Sequence, residues 1–397
     1  MRNSFSLPLL FLTSLVFSCG PGKIRLSADF ERGCLGNYEE ISPGHFRIHS
    51  KHWHKRDSIG DQYYWFYFRA DHVKGKKLTV ELTDLVGVYR GNPHIVYTDY
   101  TEPVYSYDQA AWERITDVGY DSTQHIFTFS GQFEREPVWI AFGHPYTVTR
   151  LQELINKMSG VPCASVITLA KTAENRSISM FHMTDRSIPD TGKKTILIMA
   201  AQHAGEDAGA FMAEGLVNFL SSDSSDANEI RNSFDYYVIP LMNPDGFYHG
   251  ITRYNTNMED LNNIWNSDSL SQPEVTGVKN WIDSMMQAGR KIDLFIDLHN
   301  HTQFYRYHVY IFQDNSLDSL ASISARYWPV ISWHSDFQGS SCAWMLKKGI
   351  PNCTIELTQG RIGDGSYLTI DDYHFYGRGT ALAIRDYFNI KSSGKTK

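Results

Sequence analysis

The sequence predicts a β-sandwich followed by an α/β region, and three observations lead to that fold class. Residues 24 to about 148 contain short β-branched or aromatic runs split by Gly, Asp and Pro, namely YYWFYF, KKLTVEL, HIFTFSG and VWIAF. From about 149 to 390, helical and strand patterns alternate, as they do in α/β folds. With 397 residues and 42% hydrophobic content, the chain is also long enough for two domains. We therefore expect domains at 24–148, where we detect no chemistry, and at 149–390.

Composition and charge argue against nucleic acid as a ligand. The formal net charge is −7, and the one basic run is the short tail KSSGKTK at 391–397, which we expect to be disordered. Nucleic-acid binding needs clustered Lys and Arg to neutralise phosphates, so no nucleic-acid partner is expected. The cysteines after residue 19 show neither a disulfide framework nor a CxxC zinc pattern.

Residues 1–18 have the pattern of a targeting segment. Arg2 gives a weakly positive start, an apolar stretch follows at 7–17, and the run VFSC ending at Cys19 resembles a bacterial lipobox. An apolar run this short suits a signal peptide better than a membrane-spanning helix. The resemblance implies cleavage before Cys19, lipid on its thiol and a membrane-anchored place in the bacterial cell envelope. The alternative is an ordinary secretory signal with an incidental cysteine.

Two predicted strands are followed by potential metal ligands. The apolar run 194–201 (KTILIMAA) suits a buried strand, and apolar residues then recur at helical spacing, at Met212, Leu216, Phe219 and Leu220. His203 and Glu206 therefore lie in the turn of a βα unit, where open α/β sheets place their ligand sites. A second buried strand is predicted at 292–298, with His299 just past its carboxyl end. Two segments distant in sequence can thus converge on one ion.

The residue types at these positions are those of a catalytic zinc site. Two imidazoles and a carboxylate bind zinc in open sites, where water takes the fourth position and a further carboxylate serves as base. Glu356, in CTIELTQG, can supply that further carboxylate. A His-x-x-Glu pair alone is weak evidence for a metal site, and its position after a predicted buried strand makes that evidence stronger. The sequence therefore predicts one Zn²⁺ per chain and hydrolase chemistry.

Six motifs occur in a fixed order along the chain: HAGE, NPDG (243–246), Arg253, DLNNIW (260–265), DLHNH, and IEL with Glu356. This order resembles that of the zinc metallocarboxypeptidases, the funnelins, and most of all their cytosolic-carboxypeptidase branch. YYWFYFR (63–69) and AFGHPYT (141–147) extend the resemblance toward the N-terminus. It implies an antiparallel N-terminal β-sandwich and a doubly wound α/β/α zinc-peptidase domain with a mixed central sheet.

The same resemblance implies catalytic roles for five residues. His203, Glu206 and His299 would hold the zinc ion. Glu356 would deprotonate the attacking water and later pass the proton to the leaving amine. Arg253 matches the arginine that polarises the scissile carbonyl, and a fixed guanidinium aimed where negative charge develops favours the transition state.

Further matches concern positioning and substrate binding. Asp260 matches a carboxylate that hydrogen-bonds the first histidine ligand and fixes its ring orientation. Asn262 matches the asparagine that contacts the substrate's terminal carboxylate. At the next position, where the family has an arginine clamp for that carboxylate, this chain has Asn263, and an amide cannot supply a charged bidentate fork. We therefore expect similar cleavage of free and amidated C-termini, with Arg306 and Arg361 as alternative sources of the clamp.

The function predicted from these motifs is zinc-dependent hydrolysis of a peptide bond. One alternative is an amidase or endopeptidase acting on cell-wall peptides, which the lost clamp and the predicted envelope location both permit. The other is a non-catalytic protein that binds carbohydrate or peptide on a degenerate peptidase scaffold. The complete set of ligands, base and arginine argues against the non-catalytic alternative, because a site freed from catalysis has no physical reason to keep all five residues.

Overall fold

The computed structural model describes residues 22–55, 60–267, 271–301, 307–312, 317–335, 340–363 and 365–392. The predicted signal segment, Cys19 and Arg306 lie outside these ranges. Within the described ranges, none of the helices combines the length and the apolar character needed to cross a bilayer.

The N-terminal half of the fold consists of short strands. In chain order they are β1 (Arg25–Ser27), β2 (Tyr38–Ser42), β3 (His45–His49), β4 (Trp53–Lys55), β5 (Gly60–Gln62), β6 (Tyr67–Asp71), β7 (Lys77–Thr83), β8 (Gly87–Tyr89), β9 (Asn92–His94), β10 (Val104–Ser106), β11 (Glu113–Arg114), β12 (Asp117–Asp121), β13 (Ile126–Gln132) and β14 (Val138–Ala141). They form two five-stranded sheets, β1-β6-β14-β10-β11 and β12-β13-β7-β3-β2, and a four-stranded sheet β4-β5-β8-β9.

The two five-stranded sheets share one hydrophobic core, which makes this part a β-sandwich. Phe68 and Ile140 from one sheet lie in the same buried cluster as Val80 and Phe129 from the other. Neighbouring strands in these sheets pair antiparallel, apart from β3 with β7, which pair in parallel. The predicted antiparallel sandwich is confirmed, with this one parallel pair as a difference.

Helices and strands alternate in the C-terminal part. In chain order they are α1 (Val148–Met158), β15 (Ala164–Lys171), β16 (Ser177–Met183), β17 (Lys194–Ala200), α2 (Asp207–Leu220), α3 (Ser225–Ser233), β18 (Phe234–Ile239), α4 (Pro244–Tyr248), a 3₁₀ turn (Leu261–Asn263), α5 (Pro273–Gln287), β19 (Leu294–His301), β20 (His308–Phe312), α6 (Asp318–Ser324), β21 (Val330–His334), α7 (Ser341–Lys347), β22 (Asn352–Thr358) and α8 (Ile370–Ser392). The strands form one mixed sheet in the order β15-β16-β18-β17-β19-β22-β20-β21. Its four central strands, β18, β17, β19 and β22, run parallel to one another.

Strand β17 shows why this part has three layers. Successive side chains of a strand point to opposite faces of the sheet. Ile196 and Ile198 belong to a core shared with α2 and α8, whereas Leu197 and Met199 belong to a second core shared with α5 and α7. A strand buried on both faces has a continuous apolar sequence, as KTILIMA does. The predicted α/β/α arrangement with a mixed central sheet is therefore confirmed.

Three local predictions differ from the structure. β19 extends to His301, so His299 lies inside the strand and not just past its end. The aromatic run predicted as a strand from residue 63 becomes one only at Tyr67, although residues 63–66 are buried. Helix α8 continues to Ser392, into the predicted tail. The domain boundary near residue 148 stays a prediction.

Candidate active site

The turn between β17 and α2 places two of the predicted ligands. Ala201 has φ +58° and Gly205 has φ +99°, and these left-handed residues turn the chain back on itself. Glu206 is the N-cap residue of α2 but makes no side-chain capping hydrogen bond. Its carboxylate instead contacts both His203 and His299. The helix start therefore presents a carboxylate to the two imidazoles.

His203, Glu206 and His299 form a compact cluster that could hold one ion. The Nδ1 atom of each histidine lies 2.8 Å from a different oxygen of the Glu206 carboxylate. One potential ligand atom from each residue lies within 4.8 Å of the other two. All three side chains are buried, with at most 7% of the residue exposed. Two imidazole nitrogens and a carboxylate oxygen fit the donor set of a catalytic zinc ion.

The outer nitrogen of each histidine contacts a buried carboxylate. His203 Nε2 lies 3.1 Å from Asp260 Oδ1, and His299 Nε2 lies 3.0 Å from Asp297 Oδ2. Such contacts favour the tautomer in which Nε2 carries the proton and Nδ1 is free to bind metal. The sequence motifs indicated Asp260 but not Asp297. Residues two apart on a strand share a face, so the spacing of Asp297 and His299 could have revealed it.

Glu356 lies in β22, directly beside His299. The two residues are register partners in the parallel pair β19–β22, so the sheet itself fixes their separation. Burial raises the pKa of the Glu356 carboxyl to about 7. A cation held by the neighbouring cluster would favour the charged carboxylate. Glu356 is thus suited to exchange a proton near neutral pH.

Arg253 is held by Asp260 at the edge of the cluster. Its Nε donates to Asp260 Oδ2 at 2.6 Å, and its backbone adopts φ +71°. Burial opposes the charge on Arg253, but Asp260 outweighs it and raises the pKa of the guanidinium. Burial likewise opposes the charge on Asp260, and Arg253 and His203 hold the pKa of that carboxyl well below its usual range. Both groups therefore stay ionised, and Asp260 links the arginine to a ligand histidine.

The cluster opens into a cleft of about 200 Å³ that Asn262 and Asn263 also line. Asn262 Oδ1 accepts a hydrogen bond from Ser341 N at 2.9 Å, and Asn263 Nδ2 donates to Asp260 Oδ2 at 3.2 Å. Of the two alternative clamp residues, only Arg361 lies within the described ranges. Arg361 lies 3.6 Å from Glu102 and is not among the residues lining the cleft, and Arg306 is outside the described ranges.

One wall of the cleft comes from the N-terminal sheets, where the sequence analysis detected no chemistry. Gln62, Tyr64, Tyr89, Arg90 and His94 all line it. The β4-β5-β8-β9 sheet therefore borders the same cavity as the histidines. No local pattern in these short strands signals a contact with residues more than a hundred positions away.

Gly205 gives a first testable prediction, since an added Cβ would lie 2.7 Å from the Tyr64 hydroxyl. Its left-handed backbone would add strain of about 1–3 kcal/mol for any other residue. Gly192 has a similar φ of +94° with nothing within 4 Å of its added Cβ, so it is a matched control. We expect Gly205→Ala to lower the free energy of unfolding and the zinc affinity more than Gly192→Ala does. Equal losses in denaturant unfolding and zinc titration would contradict the role of the Tyr64 contact.

Two family comparisons cover most of this architecture. Residues 26–142 match the cytosolic carboxypeptidase N-terminal domain, and residues 153–318 match the zinc carboxypeptidase domain. The chain thus contains a zinc carboxypeptidase domain preceded by a cytosolic carboxypeptidase N-terminal domain. The family match includes the three predicted ligands, Arg253 and Asp260. Glu356 lies beyond the matched segment, so its proposed role depends on the geometry at the sheet.

Curated cytosolic carboxypeptidases are about a quarter identical to this chain over the aligned residues. Cytosolic carboxypeptidase 6 of Caenorhabditis elegans is 28% identical over 72% of this chain and 64% of its own length. Cytosolic carboxypeptidase 2 of Xenopus tropicalis is 28% identical over 83% of this chain and 38% of its own length. The chain thus spans less than two thirds of the length of these relatives.

Solved structures of bacterial metallo-carboxypeptidases share the fold of the whole described chain. The enzyme from Burkholderia cenocepacia has a TM-score of 0.78 at 20% identity, covering 92% of this chain and 99% of that one. The enzyme from Pseudomonas aeruginosa has a TM-score of 0.75 at 20% identity, covering 91% and 98%. At this coverage the shared fold extends over both the sandwich and the mixed-sheet part of the chain.

The comparisons correct the prediction of a lipid-anchored protein of the cell envelope. That prediction depended on the apolar stretch and the lipobox-like run ending at Cys19, all outside the described residues. The matched N-terminal family and the matched curated relatives are instead those of cytosolic carboxypeptidases. The envelope location and the membrane anchor are therefore wrong. A short apolar run with a cysteine is a weak signal, because many unrelated N-termini contain one.

Proposed function

We propose that this chain hydrolyses a peptide bond in the cleft between its sandwich and its mixed sheet, with one zinc ion held by His203, Glu206 and His299. The observation that carries the proposal is the position of Glu356. The sheet register sets this carboxylate beside His299, and the same cleft exposes Arg253. Ligands, base and oxyanion donor thus face one cavity.

Glu356 would carry out both proton transfers of the reaction. A zinc ion in this site supplies a bound water of lowered pKa and polarises the carbonyl oxygen. Glu356 accepts the proton of the attacking water and then gives it to the departing amine. Burial favours the protonated form of Glu356, which this second step requires, whereas a cation in the cluster favours the charged form that the first step requires.

Arg253 would stabilise the negative charge that develops on the carbonyl oxygen. Its Nε is engaged by Asp260, so the guanidinium is held in one orientation before the substrate arrives. A donor fixed in advance stabilises the transition state without reorganising during the reaction. Asp260 meanwhile orients His203, so it serves as a positioning residue for both groups.

Asn262 and Asn263 would contact the peptide beside the scissile bond. Both line the cleft, and Ser341 N holds the Asn262 carbonyl so that its amide N–H group can donate. Neither the cell-wall amidase nor the non-catalytic binding protein gains support from the comparisons, which favour the carboxypeptidase alternative.

The proposal is tested by incubating zinc-loaded protein with a pool of defined peptides and reading the products by mass spectrometry. We expect loss of residues from the C-terminal end of at least one peptide, and no loss after chelation of the metal. Cell-wall fragments are incubated in a parallel reaction, and cleavage of these fragments alone would favour the amidase alternative. Intact peptides in every reaction with zinc-loaded protein would contradict the proposal.

A further inference from the structure

The hairpin β8–β9 brings an arginine into the cleft at the tip of a tight turn. Tyr89 pairs with Asn92, which leaves a two-residue loop of Arg90 and Gly91. Their φ values, +50° and +78°, are both positive, as a type I′ turn requires. The first position of this turn favours Asn, Asp or Gly, so arginine there is a conformationally unfavourable choice. An unfavourable residue in a cleft wall points to a role in binding.

Arg90 carries a charge that the described residues do not neutralise. The guanidinium carbons of Arg90 and Arg253 lie 5.4 Å and 5.6 Å from the centroid of the Tyr89 ring, so both cations border one aromatic side chain. Arg253 is matched by Asp260. For Arg90, the described part of the chain provides no carboxylate within ion-pair distance. Among the described residues, then, no carboxylate occupies its guanidinium fork, which can receive an anion.

The same wall contains a buried donor without an acceptor. Gln62 is only 3% exposed and lines the cleft, yet its Nε2 has no hydrogen-bond partner among the described residues. Buried polar groups are nearly always paired, so an unpaired one beside a cavity suggests a missing partner. His94 lies in the same wall, and burial lowers the pKa of its imidazole, so it adds no charge. The wall thus offers a cation and a separate N–H group to a ligand.

We propose that Arg90 binds a carboxylate of the peptide substrate, which makes the N-terminal sheets part of the specificity site. This inference rests on the proposed function, since it concerns the ligand of the same cleft. A guanidinium fork matches a carboxylate bidentately, whereas the Asn263 amide is engaged with Asp260. The carboxylate is either the C-terminus or an acidic side chain.

Binding is measured with Glu356→Gln protein, so that no peptide is consumed. Three peptides of otherwise equal sequence are compared: a free C-terminus, an amidated C-terminus, and an amidated form ending in glutamate. We expect at least one of the carboxylate-bearing peptides to bind about tenfold more tightly than the plain amide, a modest gain because Arg90 is exposed. A preference for the free acid alone identifies the C-terminus, and a preference for the glutamate form identifies the side chain.

Arg90→Asn is the decisive variant, because asparagine suits the type I′ turn better than arginine does. We expect its melting temperature to be unchanged or higher while the preference for carboxylate disappears. Arg135→Asn is the matched control, since it removes an exposed arginine of the sandwich that does not line the cleft. An unchanged preference in Arg90→Asn, or equal binding of all three peptides, would overturn the inference.

The outcomes also separate this inference from the proposed function. Cleavage by zinc-loaded protein with no carboxylate preference leaves the function standing and removes the role of Arg90. Carboxylate-dependent binding without cleavage of any peptide supports the role of Arg90 and contradicts the proposed function. Failure of every peptide to bind or react contradicts both.

Discussion

Glu356→Gln should lower turnover by at least about 10² to 10⁴-fold while the protein keeps its zinc. Glutamine has the same shape as glutamate but cannot accept the proton of the attacking water. The zinc ligands are untouched, so the metal content reports on folding of the site. The measurement is single-turnover cleavage of a peptide found by mass spectrometry, together with elemental analysis of the same sample.

Glu274→Gln is the matched control for this prediction. Glu274 is a buried glutamate of α5, 1% exposed, and it is not among the residues that line the cleft. Its substitution removes a buried carboxylate without touching the proposed chemistry. Near-wild-type turnover in Glu356→Gln, or an equal loss in both variants, would refute the assignment of Glu356 as the base.

His299→Ala should remove most of the bound zinc and with it all peptide cleavage. Loss of a partner that merely orients a ligand typically weakens metal binding about 10–100-fold, and loss of a ligand itself should weaken it more. Zinc content is measured after dialysis against a weak chelator. His182→Ala serves as the control, because His182 is a partly buried histidine of β16 that contacts Asp235 at 3.3 Å, away from the cleft. Equal, near-stoichiometric zinc in wild type and His299→Ala would show that the ligands lie elsewhere.

The fold and the ligand cluster could be predicted because their signals are local. KTILIMA is apolar on both faces, so it predicts a central strand, and the turn that follows must then hold His203 and Glu206 at the sheet edge. The sequence places His299 just past a strand that ends at residue 298, whereas β19 continues three residues further, to His301. Strand ends are set by pairing with β22, which no single segment reveals.

The cleft wall could not be predicted, because it depends on contacts between segments distant in sequence. Tyr64, Tyr89 and Arg90 belong to short strands and turns whose sequences show only sandwich patterns. Their approach to His203 follows from how the sandwich packs on the catalytic part, a tertiary property. Arg306 and Arg361, the alternative clamp residues that the sequence suggests, lie more than 200 positions after Arg90 in the chain. Asp297 does not line the cleft, and its contact with His299 could have been predicted, because residues two apart on a strand share a face.

The most direct test of the account is to locate the metal by anomalous diffraction from crystals of zinc-loaded protein, with data on both sides of the zinc absorption edge. The account predicts one strong peak per chain, at bonding distances of about 2.0–2.2 Å from Nδ1 of His203, Nδ1 of His299 and the Glu206 carboxylate. The Glu356 carboxylate should face the open side of that peak. Stoichiometric zinc bound by any other set of residues would contradict the account.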